Sequence, residues 1–305
     1  APNDHVILFG AHHIVCDATG GATACHDLKQ FYIEGVAGKP AELTPRTADF
    51  PDFVDWQRSV LSGPQGEALL AHWQERLKPP LPVLALPTDR PRPVNRQFRG
   101  DTLQRVFSSE QIAALDALAT RTRATRSAIL IALMAAMLGR VCDQDDVVIG
   151  TPFFGRADER FETTVGHFAN PLPIRLTVSP ACSFDDLIIE ARERLLDALD
   201  NQDMPLLRLV DALNPPRDST RMPFFDVLFT FLLFDHLTGG LQSENDAETR
   251  AIFPVEPLLF PLMEGQFDLS VRFEEMNNGL TMNWSFDTDL FDKSTIETFV
   301  NIFSE

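Results

Sequence analysis

Two adjacent histidines, an aspartate four residues on and a loop of small residues open this chain: His12, His13, Asp17 and then Ala18, Gly20 and Gly21 within "GAHHIVCDATGG". Two imidazoles and a carboxylate at this spacing suggest three kinds of chemistry. As a metal site the stretch supplies only three ligands, and adjacent side chains on an extended segment diverge, whereas zinc takes converging ones. As a packing feature the histidines are core residues beside a strand. As a base, a neutral imidazole presented at a cleft suits removal of a proton from an attacking amine or hydroxyl. Strand alternation places one of His12 and His13 inside as a structural residue and sends the other to the cleft. Asp17 then orients a histidine or pairs with a distant arginine.

The composition narrows the partners. The chain has 305 residues, 44% of them apolar, and a formal net charge of −18. That charge opposes nucleic acid and anionic membrane surfaces, both of which need a basic footprint. It suits a soluble protein or one whose partner offers a basic patch. The four cysteines (Cys16, Cys25, Cys142, Cys182) are scattered with no CxxC pair, which favours free thiols over a disulfide framework. No secretory leader opens the sequence, and the apolar runs near 127–138 and 223–234 are too short to span a bilayer. The expected location is the cytoplasm.

The elements that must position the opening motif are readable in outline. Residues 5–11 read as a buried strand whose sheet partners come later or lie upstream, since a lone strand has no ladder. Residues 20–36 read as a helix. "FPDFVDWQRSVLSG" and "GEALLAHWQERLKPP" carry helical apolar spacing. Residues 79–97 are proline-rich and aperiodic, a linker or crossing segment and the best boundary. Beyond it, "DTLQRVFS" reads as a strand. A helix follows with Ser109 as N-cap, and then "RSAILIALMAAMLGRV", apolar nearly all round, as a central helix. "DDVVIGTPFFG", "NPLPIRLTV" and "FFDVLFTFLLF" read as core strands, and "SFDDLIIEARERLLDAL" as a capped helix. "FDLSVRFEE" and "LTMNWSFD" form a hairpin on the Asn-Gly turn of "MNNG". Residues 236–264 read as an acidic loop, and the chain closes on a helix. Strands and helices mix without strict alternation, which indicates an α+β fold (an α/β sandwich) with a mixed sheet flanked by helices.

The opening motif has company along the whole chain. "HHIVCDA" resembles the HHxxxDG signature of the condensation domains of non-ribosomal peptide synthetases, members of the chloramphenicol acetyltransferase-like superfamily. In order along the chain, "DFVDWQRSVL", "LPTDRPRP", "DQDDVVIGTPFFGR", "VGHFANPLPIR", "NQDMPLLRLVDAL" and "RDSTRMPFFDVLFTF" each resemble a further segment of that family. Ordered matches are far more specific than any one of them.

The resemblance implies two acetyltransferase-like lobes facing across a tunnel, with donor and acceptor carrier proteins docking at its two mouths. Their phosphopantetheine arms bring an acyl or peptidyl thioester and an aminoacyl thioester, and an amide bond forms. No metal or redox cofactor bound by the domain itself is implied, and an adenylation domain is the expected neighbour. His13 matches the catalytic histidine, which either takes the amine proton or positions the amine and stabilises the tetrahedral intermediate. His12 matches the structural histidine. Asp17 matches the motif aspartate, expected to hold the loop through an ion pair with Arg156. Asn170 matches the motif asparagine near the tunnel, or serves as a turn residue before Pro171. His167, within "VGHFANP", is expected in a tunnel or packing role.

Departures from the family pattern also carry expectations. The motif glycine is Ala18, whose methyl is either absorbed, since Gly20 and Gly21 loosen the turn, or narrows the site. Asn201 stands where histidine is usual, and the motif before the core strand reads Arg221-Met222-Pro223. HHxxxDA also differs from the DxxxxD of the cyclising relatives. Only eleven residues precede the motif. Residues 1–88 are therefore expected to be the remainder of an N-terminal lobe, most of it upstream, and residues 89–305 a C-terminal lobe. Two rival functions remain: a carrier-dependent O-acyltransferase, in which the same histidine deprotonates a hydroxyl, and a non-catalytic carrier-docking scaffold.

Overall fold

The computed structural model describes residues 5–43, 45–216, 218–233, 265–276 and 279–304. They fall into two compact units. One comprises the described residues of 1–58 together with 154–169; the other comprises 59–153, 170–233 and the described residues from 265 onward.

The first unit holds helix α1 (Ala18–Val36), most of α2 (Phe50–Ser62) and a short 3-10 turn (Glu159–Phe161). Asp17 ends the extended approach to α1, because its carboxylate accepts the Gly20 N–H at 2.8 Å. The small residues expected as a turn therefore form the first turn of the helix, which begins at Ala18 rather than residue 20. Phe50, Phe53 and Trp56 recur at three-residue spacing along α2. They pack with Phe161 and Phe168 into an aromatic core, in which the Phe53 and Phe168 rings lie 4.4 Å apart. The strand expected at residues 5–11 is not there. The segment makes no ladder among the described residues, and Val6, Ile7, Leu8 and Phe9 are 60–80% exposed. Without a partner strand among the described residues, such an apolar run is only extended chain.

The second unit is built on a six-stranded sheet. Its strands are β1 (Gly100–Val106), β2 (Asp146–Phe153), β3 (Asn170–Thr177), β4 (Val227–Leu233), β5 (Leu269–Met276) and β6 (Gly279–Asp287), in the order β1-β6-β5-β4-β2-β3. The pairs β1/β6, β5/β6 and β2/β3 are antiparallel; β4/β5 and β2/β4 are parallel, so the sheet is mixed. Helices α3 (Pro64–Arg76), α4 (Ser109–Thr122), α5 (Arg126–Cys142), α6 (Phe184–Asp200), α7 (Leu206–Leu213) and α8 (Lys293–Ser304) complete it. As its composition demands, α5 is the central helix: Ile129, Leu130, Ile131, Met134 and Leu138 are fully buried in one core with Ile149, Leu172, Phe273 and Trp284.

One detail corrects the reading from sequence. The N-cap of α4 is Ser108, not Ser109, since only Ser108 has Gln111 three residues on to close a capping box. The proline-rich segment is pinned. Arg92 pairs with the buried Asp268, Arg96 lies 2.9 Å from the buried Asp287, and Asp89 accepts the Asp292 N–H at 2.7 Å just before α8. In the hairpin, β5 and β6 pair out to Met276 and Gly279, while the Asn277 and Asn278 turn residues lie outside the described residues. So does the whole of the expected acidic loop at 236–264. Among the described residues, no single helix is long and apolar enough to cross a membrane.

Candidate functional site

The site assembles around Asp17. Just before it the chain makes a tight turn, in which the Val15 N–H reaches the His12 carbonyl at 3.0 Å. The His12 Nδ1 accepts the Ile14 N–H at 3.1 Å, so this ring stabilises the turn locally. Alternation does not operate in a turn. Both His12 and His13 are exposed, which corrects the expectation that one would be buried.

Asp17 itself is buried, and each of its oxygens is used. Arg156 grips it with both terminal nitrogens, Nη1 to Oδ2 at 2.8 Å and Nη2 to Oδ1 at 2.9 Å. The Gly20 N–H adds to Oδ1 and the Phe168 N–H adds to Oδ2 at 3.0 Å. The backbone joins as well, with the Asp17 N–H donating to the Gly166 carbonyl at 3.0 Å. Burial by itself would raise the Asp17 pKa. The Arg156 hydrogen bonds, the Gly20 N–H, the Arg156 charge and the Phe168 N–H outweigh it and hold the carboxyl below its ordinary range. Arg156 in turn donates to the Thr164 carbonyl at 3.1 Å and lies over the Phe168 ring, 4.1 Å from its centroid. Asp17 thus has no lone pair to spare as a base. It is a bolt that joins the His12–Cys16 turn, the start of α1 and the 164–168 segment.

Through that bolt His13 meets His167. Their Nδ1 atoms lie 3.0 Å apart, with the rings edge to face at 85°. The His167 pKa is lowered from its ordinary value, first by burial, then by the nearby His13 and to a lesser extent by Arg156, with Asp17 pulling the other way.

Ala18 is exposed as the first residue of α1, a position where a methyl needs no special backbone. Gly20 is buried, and a Cβ there would meet Cys16 Sγ at 3.1 Å and the Gly166 nitrogen at 3.4 Å. Of the residues singled out from sequence, His12, His13, Asp17, Ala18, Gly20, Arg156 and His167 belong to this unit. Asn170 belongs to the other. There its amide donates to the Gln202 and Met204 carbonyls at 3.0 and 2.8 Å and accepts the Leu206 N–H at 3.0 Å, so it clamps the chain entering α7. Gly166 and Phe168 lie in the matched segment "VGHFANP", but the pattern assigns them no role: Phe168 gives both its N–H and its ring, and a Cβ at Gly166 would overlap the Phe50 ring at 2.2 Å. Sequence reasoning missed Thr164, which acts through its carbonyl. Among the described residues, no cluster of three His, Cys, Asp or Glu side chains is placed to hold a metal ion.

A condensation-domain family model matches residues 1–305. The chain belongs to that family. The condensation domain is 32% identical over 295 residues to malpinin synthetase of Mortierella alpina, a match that covers 97% of this chain and 4% of the relative. Among solved structures, the X-domain from teicoplanin biosynthesis superposes with a TM-score of 0.81 at 24% identity, covering 96% of this chain and 67% of that one. The first condensation domain of the calcium-dependent antibiotic synthetase, in complex with a substrate analogue, gives 0.72 at 19% identity, covering 96% and 61%. The mixed sheet with its helices is thus the chloramphenicol acetyltransferase-like fold of these neighbours. The condensation domain spans a small fraction of the synthetase it resembles.

Proposed function

We propose that this condensation domain is part of a larger non-ribosomal peptide synthetase and joins two carrier-bound substrates through an amide bond. A donor carrier protein brings an acyl or peptidyl thioester on its phosphopantetheine arm, and an acceptor carrier brings an aminoacyl thioester. The acceptor amine attacks the donor carbonyl carbon, and the C–N bond forms as the carbonyl electrons move onto oxygen. His13 takes the proton that the nitrogen sheds. The intermediate collapses, the C–S bond breaks, and the proton passes from His13 to the departing thiolate. The products are the lengthened amide on the acceptor arm and a free thiol on the donor arm. A thioester is already activated, so positioning carries much of the acceleration and the chemistry calls for no metal or redox group.

The observation that carries this reading is the family match over the whole chain together with an exposed His13 held on a turn that a buried aspartate anchors. Asp17 and Arg156 serve as structural supports, and His12 stabilises the turn. Ala18 and Gly20 border the tunnel at the start of α1. Residues 1–88 are the remainder of an N-terminal lobe and residues 89–305 the C-terminal lobe. The six strands of the sheet all lie beyond residue 99, whereas the compact units divide at residue 58, with 59–88 grouped with the sheet. A neighbouring adenylation domain loads the acceptor carrier, and the setting is cytoplasmic.

The test is intact-protein mass spectrometry of the loaded acceptor carrier, incubated with loaded donor carrier and the full-length synthetase, wild type or His13→Ala. A condensed mass that appears only with His13 is expected. Carrier binding with no His13-dependent product across a set of acyl donors would overturn the reading in favour of a docking scaffold. A product only with soluble alcohols would favour an ester-forming acyltransferase.

A further inference from the structure

His13 is not alone in its site, and its companion determines which of its nitrogens can work. The Nδ1 atoms of His13 and His167 lie 3.0 Å apart, a hydrogen-bonding distance, so one of them carries the proton and the other the lone pair. Resting on the condensation reading above, we infer that His167 is a positioning residue for His13: it accepts a hydrogen bond from His13 Nδ1–H and thereby leaves His13 Nε2 as the basic nitrogen.

The argument starts from proton bookkeeping. A neutral imidazole has one N–H. If His13 kept its proton on Nε2, its Nδ1 would be the acceptor in the pair, and the outward nitrogen would have no lone pair to receive the proton of an attacking amine. With the proton on Nδ1, donated to His167, Nε2 is free to take it. When it does, His13 becomes an imidazolium and the same Nδ1–H bond becomes charge-assisted, provided that His167 is neutral. His167 then carries its own proton on Nε2. It performs for His13 the task that a carboxylate or a backbone carbonyl performs for other catalytic histidines, without adding a charge.

The scaffold holds this acceptor in place from both sides. The residue before His167, Gly166, takes the Asp17 N–H on its carbonyl, and the residue after it, Phe168, gives its N–H to the Asp17 carboxylate. Asp17 follows directly on the turn that carries His13, which the Val15 N–H closes onto the His12 carbonyl. Both imidazoles therefore hang from one buried carboxylate, and a shift of that group moves them together. The charged groups facing His167 are His13, Asp17 and Arg156, and their balance with burial favours neutral His167, the state the acceptor role requires. Two imidazoliums at this distance would repel, which further disfavours a charged His167 beside a charged His13.

The experiment is a long-range 1H–15N NMR correlation of the imidazoles in this chain, which reads their tautomers, in the wild type and with His167→Phe and His167→Asn. In the wild type His13 is expected as the Nδ1–H tautomer. His167→Phe keeps an aromatic ring and removes the acceptor. His13 should then revert to the Nε2–H form preferred in water. His167→Asn offers an amide oxygen at a similar reach and should restore the Nδ1–H tautomer. The Phe168 amide resonance reports that the Asp17 anchor is intact in each variant. In the full synthetase, His167→Phe should lower kcat by about tenfold with KM unchanged, and His167→Asn should recover most of it. An Nε2–H tautomer in the wild type, or a His13 tautomer indifferent to His167→Phe, would overturn the inference. The NMR readout needs no carrier protein, so it stands or falls separately from the amide-forming reaction.

Discussion

The Asp17 carboxylate and the Arg156 guanidinium face each other as a two-pronged pair, at 2.8 and 2.9 Å, with both side chains almost fully sealed from solvent. They are 139 residues apart in sequence, so the pair fixes a long loop as well as a local turn. Removing one partner leaves a buried charge with nothing to balance it. Asp17→Ala and Arg156→Ala are each expected to destabilise their unit by about 3–5 kcal/mol, with the double variant far less than additive because no orphan charge remains. Urea unfolding of the four proteins in the cycle measures this. Additive losses would mean that the pair contributes nothing through its contact.

The same pair sets an acid limit. The Asp17 pKa lies below its unfolded value, so the folded state holds the ionised form more tightly and the unfolded state binds the proton first. The contribution is fully present above the unfolded pKa of about 3.9, and it is lost as pH falls through the lower folded value. Stability measured from pH 7 downward should therefore fall steeply below about pH 4 in the wild type. In Asp17→Asn that part of the slope should be missing. An identical acid limb in the two proteins would show that other carboxylates set it.

Three glycines near the site rank by the space around them. A Cβ at Gly166 would overlap the Phe50 ring at 2.2 Å, at Gly20 it would press on Cys16 Sγ at 3.1 Å, and at Gly21 it would meet nothing within 4 Å. Gly166→Ala is expected to cost about 1–3 kcal/mol through overpacking of the aromatic core. Gly20→Ala should cost less, because its nearest neighbour is a single sulfur at the end of a short side chain. Gly21→Ala lies inside α1 and should stabilise by up to about 1 kcal/mol, the helix propensity gain. Thermal melts of the three variants check the order, and any other order would mean that the first turn of α1 relaxes around a methyl.

Much of this architecture is written in local pattern, and what is missing from the pattern is non-local. The central helix α5 announces itself, because a segment apolar on every side can only be buried. Strands β2 and β3 announce themselves as short apolar runs. Residues 5–11 show the limit: their composition is that of a buried strand, yet burial requires a partner that composition does not supply, and the segment is exposed. The Arg156 partnership with Asp17 is legible through the ordered family motifs rather than through any periodicity. The bonds that the Gly166 and Thr164 carbonyls and the Phe168 N–H make stay hidden because they rest on backbone groups, which every residue possesses. His12 escapes the alternation rule because it sits in a turn, where neighbouring side chains need not face opposite ways.

Asn170 offers a clean separation between contacting substrate and holding structure. All its polar groups are engaged with backbone, two bonds donated to the Gln202 and Met204 carbonyls and one accepted from the Leu206 N–H at the start of α7. Deleting them in Asn170→Ala should cost about 2–3 kcal/mol, at roughly 1 kcal/mol for each bond. Asn170→Asp is the sharper probe. Near neutral pH its carboxylate still accepts from Leu206 but faces two carbonyl oxygens with nothing to donate, so it should be at least as destabilised as the alanine variant. The folded state disfavours that ionised form, which raises the folded pKa of the new carboxyl above its unfolded value. Stability relative to wild type should therefore recover as pH falls through that raised pKa, where the protonated acid donates one bond again. Unfolding of Asn170→Asp between pH 7 and pH 4 tests this. A loss of turnover in Asn170→Ala with no loss of stability would instead place Asn170 against the substrate.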